Sequence, residues 1–452
     1  METFPQNAGG GKRLKKLCSF FMIPALIFGL TACTDSASKS AVSASNDKPK
    51  ELTVWVHVPA EDPEGKNYDL RAKEFEQQHK NVKVTVEHIA KTGEGSGYID
   101  RLNAAITTGD LPDVITLESV HTASYVDSDI LLPLNKYLGK DVINSYLDTI
   151  VKSGSVGNNL YALQSFELSA PVFYNVDLFK AAGIEIPADK NGNWTLDLAW
   201  SYDDFLENTR ILKKFMGQAP VHMFTDKNGW QMYAHSPIIF SNDAQLVGKN
   251  GLDTDGYLNS KNTIEAFNFI NTLFREGIVS PTPKENAFAT GKAAISFEGP
   301  WLIDALKKDY PNLHWSLMPY PYGKKGHNSA PHGTWYVAAT KHTKYPELAA
   351  ELVAHLTNKD SAKAMEDAAG LIPGHKELLA SSKLYSEYPR KLMLDQLVQT
   401  AHLKPKSPIF PVLEDVFGDI MEGITLDRDS VENLVQAAVD KSEREASRFK
   451  KK

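Results

Sequence analysis

The feature that most restricts what this chain can fold into is a regular alternation of short strands with amphipathic helices, beginning at Leu52. Leu52 to Val58 is β-branched and alternates, which predicts a strand. Tyr68 to His79 carries a helical apolar stripe. Val82 to Ile89 alternates again, Tyr98 to Thr108 reads as a helix closed by Gly109 at a C-cap position, and Asp113 to Leu117 is a short, almost wholly apolar run. Such a run suits a parallel sheet covered on both faces, and strand–helix–strand–helix–strand is the pattern of an α/β layer structure.

A second α/β stretch follows. Pro171 to Asn175, Ala293 to Phe297 and Leu313 to Met318 read as strands. Ser201 to Lys214, Asn262 to Glu276 and Trp301 to Lys308 read as helices. The C-terminal third is mostly helical, with helices predicted over Pro346 to Thr357, Ser361 to Ala368 and Val431 to Phe449. Pro/Gly clusters at Pro319 to Gly323 and Gly370 to Gly374 break the pattern and are candidate crossings between two α/β lobes. A chain of 452 residues is most naturally two such bodies.

The N-terminus has a different character. Lys12, Arg13, Lys15 and Lys16 precede an apolar run from Leu17 to Ala32, too short for a comfortable membrane span of ~20 residues. The order reads as a secretory signal, residues 1–32, with Met1 to Gly11 as an extended polar start. Its end, Leu30-Thr31-Ala32-Cys33, resembles the bacterial lipobox, which implies cleavage before Cys33 and lipidation of that residue. Residues 33–50 are Ser/Ala/Lys-rich and read as a flexible tether. The two cysteines of the chain are Cys18, in the signal, and Cys33. The body therefore holds no disulfide, thiolate metal site or thiol nucleophile. The net charge of −7 includes the basic signal, so the body is more acidic still, which argues against a nucleic-acid partner.

From about Leu52 to near the C-terminus the body resembles the family 1 extracellular solute-binding proteins, the group that includes maltose-binding protein. Four segments carry the resemblance in order: Gly109-Asp110-Leu111-Pro112-Asp113-Val114-Ile115 running on to Leu131-Leu132-Pro133-Leu134; Tyr161-Ala162-Leu163 leading to Phe173 through Phe179; Ala287-Phe288 through Gly291 to Gly299-Pro300-Trp301; and Gly333-Thr334-Trp335 followed by Pro346-Glu347-Leu348-Ala349. The resemblance implies an α/β bilobal periplasmic-binding-protein-like fold with a ligand cleft between the lobes. One lobe is expected at 51–164 and 325–370, the other at 165–324 and 371–452. It further implies hinge closure on a sugar or oligosaccharide, delivery to ABC permease subunits and their ATPase, attachment to the extracytoplasmic membrane face through Cys33, no cofactor, and no enzymatic activity.

A sugar presents hydroxyls at its edges and C–H patches on its ring faces, so its site needs polar acceptors beside an aromatic platform. By resemblance Trp301, after Glu298-Gly299-Pro300, is the stacking tryptophan; Glu298 either accepts from a hydroxyl or caps the next helix. Trp230, Gln231 and Tyr233 open a helix where the family carries aromatics. Glu118 and Ser119 lie beyond the carboxyl end of a strand, where open α/β sheets bind ligands, and His57 and Glu61 hold a similar, weaker position. Gln164, Phe166 and Glu167 stand at the expected first crossing; Gly333, Thr334 and Trp335 open a late strand, where Gly333 permits close backbone approach. Phe410 is a late aromatic candidate. Core packing is the alternative for each ring, and solvation for each polar group.

Other functions are less favoured. HExxH, GxSxG and Walker-type motifs are absent, so the ATPase is another chain. A secreted glycosidase would need two carboxylates, which any acidic protein supplies. Polyamine binding would use Glu118, Glu167 and Glu298 with aromatics, and an iron site would want paired tyrosines, for which Tyr320 and Tyr322 lie in a hinge-like setting. Anionic sugars would want arginine, and the candidates contain none. Asp253-Thr254-Asp255-Gly256 has part of a calcium-loop pattern but lacks the later glutamate, and reads as a surface turn.

Overall fold

Two sheets, each wrapped by helices, account for the body, which a computed structural model describes over residues 48–89, 96–227, 229–324 and 326–450. Cys33, the signal and residues 33–47 of the tether lie outside the described residues, and Lys50, at the tether's expected end, already begins the first strand. The first sheet has the order Val82–His88, Lys50–Val56, Val114–Glu118, Trp335–Ala339, Ala162–Leu163. Its first three strands are parallel, whereas Trp335–Ala339 runs antiparallel to both neighbours. The apolar run at residues 114–117 is buried throughout, as a strand covered on both faces must be. The cover includes the helices Pro63–Gln78 and Pro346–Leu356.

The second sheet has the order Trp315–Met318, Val172–Asn175, Ile295–Phe297, Val221–His222. Its helices include Tyr202–Met216 and Lys261–Arg275. The first of these begins in a capping box: Asp204 N donates to Ser201 Oγ at 3.1 Å and Ser201 N to Asp204 Oδ2 at 2.9 Å. It ends at Gly217 in the left-handed conformation.

The hydrophobic cores follow the sheets. One gathers Leu52, Val54, Val114, Leu117, Val337 and Leu352. The other gathers Phe173, Phe205, Phe267, Phe297, Phe417 and Val435, so the helices Phe410–Thr425 and Val431–Phe449 return to the second sheet. Val120, just past the strand Val114–Glu118 of the first sheet, packs in this second core.

Two short strand pairs lie outside both sheets. Phe166–Glu167 pairs antiparallel with Ile372–Pro373, and Ala330–His332 pairs parallel with Ala401–Leu403. The second of the expected Pro/Gly breaks thus coincides with a strand pair, but the first does not. Tyr320 is fully buried in the second core, its hydroxyl donating to Ala234 O at 3.1 Å, and Tyr322 N donates to Trp200 O at 3.0 Å. The pairing that follows it comes several residues later, at Ala330.

The Asp253 to Gly256 segment is a turn bound to the C-terminal helix. Glu443 Oε1 accepts from the Thr254 and Asp255 amides at 2.6 and 3.2 Å, and Lys450 pairs with Asp253 at 2.5 Å. Among the described residues no cluster of His, Cys, Asp and Glu has metal-binding geometry. No described helix is long and apolar enough to cross a membrane.

Candidate functional site

The strand ends of the first sheet bring together most of the candidates from the first α/β stretch. Trp335 opens its strand directly opposite Glu118. The His57 ring lies flat on the Trp335 indole, 3.9 Å between centroids and 7° between planes, and Tyr98 meets both rings edge-on. Thr116 fixes His57 by its hydroxyl, which accepts from the His57 amide at 3.1 Å and lies 3.2 Å from Nδ1. Ser119 N donates to Thr334 O at 3.1 Å. Gly333, just before Thr334, has φ +146°, a conformation that glycine alone adopts readily. Gln164 is fully buried and spends its amide on backbone: Nε2 donates to Trp335 O, and Oε1 accepts from Ser165 N at 2.5 Å. Glu61 stands outside this group, exposed in the turn before Pro63.

The two short strand pairs hold a second group. Glu167 and His332 are both buried, with Oε2 and Nε2 3.0 Å apart. The approach is close but badly directed for a hydrogen bond, so neither Glu167 oxygen has a donor among the described residues. Its charge reaches two phenols: burial first, then Glu167, pushes the Tyr233 and Tyr336 hydroxyls up. Phe166 is buried beside it. Gln231 is buried, with Nε2 donating to Thr225 O at 3.2 Å and Oε1 without a donor among the described residues. The helix Gly229–Phe240 carries Trp230, whose side chain lies outside the described residues.

The second sheet supplies the third group. Glu298 follows the strand Ile295–Phe297, and its Oε1 accepts from Trp301 Nε1 at 3.2 Å. Burial raises the Glu298 carboxyl to about 7, against the lowering effect of its bonds to Trp301 and the Gly299 amide. His222 Nδ1 lies 3.9 Å from its other oxygen. The indole folds back across Gly299, where an added Cβ would come within 2.0 Å of the ring. Trp301 itself is the N-cap residue of the helix Leu302–Asp309 and is 42% exposed. Glu298 therefore does not cap that helix; it holds the indole that precedes it.

Three residues at this centre were not among the sequence candidates. His332 and Tyr336 flank the candidate Gly333-Thr334-Trp335 run, and Lys404 follows the strand Ala401–Leu403. Phe410, expected as a late aromatic contact, is fully buried at the start of its helix, edge-on to His121 at 5.4 Å. The only sequence signal for Lys404 is a cation beside Pro405, which nothing in the pattern singles out.

Chemically, Glu167, Gln231 and Glu298 can accept hydrogen bonds, and Trp301 presents a partly exposed aromatic face. Comparison with known proteins agrees with the architecture. A galactooligosaccharide-binding protein of Bacillus subtilis (strain 168) is 26% identical over 422 residues, covering 90% of each chain. A maltooligosaccharide ABC transporter solute-binding lipoprotein of Streptococcus pneumoniae serotype 4 is 22% identical, covering 92% of this chain and 95% of that one. The crystal structure of a cyclic alpha-maltosyl-1,6-maltose binding protein from Arthrobacter globiformis superposes with a TM-score of 0.72 at 18% identity, over 88% of this chain and 99% of the other, which shows a shared bilobal α/β fold. The model of the bacterial extracellular solute-binding proteins matches residues 60–363, more than half of the sequence, and the chain belongs to that family.

Proposed function

We propose that this protein is the lipid-anchored, extracytoplasmic binding subunit of a bacterial ABC importer, and that it captures an oligosaccharide by closing two lobes on it. The lobes are residues 51–164 with 325–370, and 165–324 with 371–452. Cys33 carries the anchor, residues 33–50 are the tether, and permease subunits with their ATPase receive the cargo. The family, and the oligosaccharides named for its relatives, support a binding role over an enzymatic one.

The observation that carries the reading is Glu167. A fully buried carboxylate that faces His332 but accepts no hydrogen bond from the described residues is costly, and a sugar hydroxyl arriving between the lobes lowers that cost. Tyr233 and Tyr336 beside it give the hydroxyl further partners, and Trp301 offers a ring face. Ser119, Thr334 and Gly333 line the opposite strand ends, with His57 and Trp335 as their backing.

A thermal-shift screen against mono- and oligosaccharides tests this, because a ligand held only by the folded state raises the melting temperature. The expected result is a hit among oligosaccharides whose affinity Glu167→Gln weakens by ~1.5–3 kcal/mol, the worth of a hydrogen bond to a charged group. Equal binding by Glu167→Gln and the parent chain would remove Glu167 from the site.

A further inference from the structure

The loop that leads into the helix Gly229–Phe240 is pinned from two sides. On the helix side, two side chains one turn apart hold two of its carbonyls: Gln231 Nε2 donates to Thr225 O at 3.2 Å, and His235 Nε2 donates to Phe224 O at 2.9 Å. On the other side, Lys227 reaches the helix Phe410–Thr425. Its Nζ lies 2.7 Å from Asp415 Oδ1 and 2.5 Å from Asp419 Oδ1, two carboxylates one helical turn apart. Lys441, from the helix Val431–Phe449, meets the same two acids, Asp419 at 2.7 Å. The four charges alternate around a closed ring.

Burial opposes the charge on both acids, yet their bonds to the two lysines hold both carboxyls below the usual range, and the same bonds raise the Lys227 ammonium against its own burial. The helix makes room for the lysine. Gly418 lies between the acids in sequence, and a Cβ there would come 2.7 Å from Lys227 Cγ. Glycine weakens a helix interior, and here it lets the lysine stem lie close against the backbone.

Ion pairs between side chains 37–45% exposed add little to global stability. Their effect is local. Lys227 fixes a loop whose Thr225 carbonyl takes one end of the Gln231 amide. An amide held at Nε2 presents Oε1 in one direction, and that oxygen is buried with no donor among the described residues. A glutamine with a loose partner would have to be ordered as a ligand arrives; a pinned loop orders it beforehand.

We propose that Lys227 is a positioning residue for ligand capture: the ring of Lys227, Asp415, Lys441 and Asp419 holds residues 224–227 so that Gln231 Oε1 stands ready to accept from a sugar hydroxyl. Lys227 acts through Thr225 and Gln231 and touches no ligand itself. This inference rests on the oligosaccharide reading above and deepens it, by adding Gln231 to the acceptors and naming what orients it.

The test is calorimetric titration of the full chain with neutral galacto-, malto- and arabino-oligosaccharides, whose lack of charge leaves the protein's own electrostatics as the variable. For the tightest of these probes, Lys227→Met should bind roughly threefold to tenfold more weakly, the scale of one or two lost ion pairs. Lys227→Arg should restore most of the affinity. The loss should vanish in a Gln231→Leu background, where the loop has no acceptor left to orient. Added sodium chloride should weaken binding by the parent and leave Lys227→Met unchanged, because salt screens partly exposed pairs. Urea denaturation establishes that Lys227→Met is folded, and the salt series decides the matter should Gln231→Leu not fold. Equal affinity of Lys227→Met and the parent, a loss of the same size in Gln231→Leu, or a salt response shared by Lys227→Met and the parent would each overturn the inference and leave the oligosaccharide reading standing. Binding of none of these sugars would overturn that reading, and this one with it.

Discussion

The two sides of the candidate site are built on opposite principles. On the first sheet, His57, Trp335 and Gln164 are buried, stacked and hydrogen-bonded to neighbouring residues. On the second, Trp301 is largely exposed, folded over Gly299 and hydrogen-bonded to a carboxyl that titrates near neutrality. The first side is a wall fixed before any ligand arrives. The second is a ring on a short tether that a ligand can cover. In binding by lobe closure, that division lets one face set register while the other adapts.

The division breaks most visibly with Trp335→Ala. Emptying the space under the His57 ring is expected to cost ~3–5 kcal/mol of stability, as large-to-small changes of buried aromatic residues do, and urea denaturation of the ligand-free chain measures it. Trp301→Ala should do the reverse. Its stability stays within ~0.5 kcal/mol of the parent, because the ring is exposed, while ligand affinity falls by ~1–2 kcal/mol. Equal stability losses for the two variants would erase the distinction between the walls.

The smallest expected effect is a pH dependence. The Glu298 carboxyl sits at about 7 in the folded chain, above its ordinary value near 4.5, because burial disfavours its charge. Between those values the folded state holds a proton that the unfolded state has lost. The contribution of Glu298 is therefore least unfavourable in acid and grows more unfavourable as pH rises through about 7. Melting temperatures taken from acid to mildly alkaline pH should fall more steeply for the parent than for Glu298→Gln. Parallel curves would mean that Glu298 does not titrate in that range.

Much of the fold was legible because its elements announce themselves by period. The predicted strand over Val82 to Ile89 appears as Val82–His88, and the helix over Val431 to Phe449 appears with those bounds. The helix Phe410–Thr425 was missed for a physical reason. Pro411, Gly418 and Gly423 dilute its helical pattern, yet a Cβ at Gly423 would come within 2.4 Å of Leu434 on the next helix, so the glycine is there for close packing. Trp301 and Glu298, which a hydrogen bond joins, are close in sequence, so a single motif could point to both. The Glu167–His332 contact was not legible in that way, since it joins two strand pairs far apart in the chain.

The central claim, that this chain captures an oligosaccharide between its lobes, is met most directly by calorimetric titration of the full-length protein with an oligosaccharide panel and with polyamines. The account predicts one site per chain, filled by an oligosaccharide, with a negative heat-capacity change from buried apolar surface. Saturable binding of a polyamine with no heat from any oligosaccharide would contradict it.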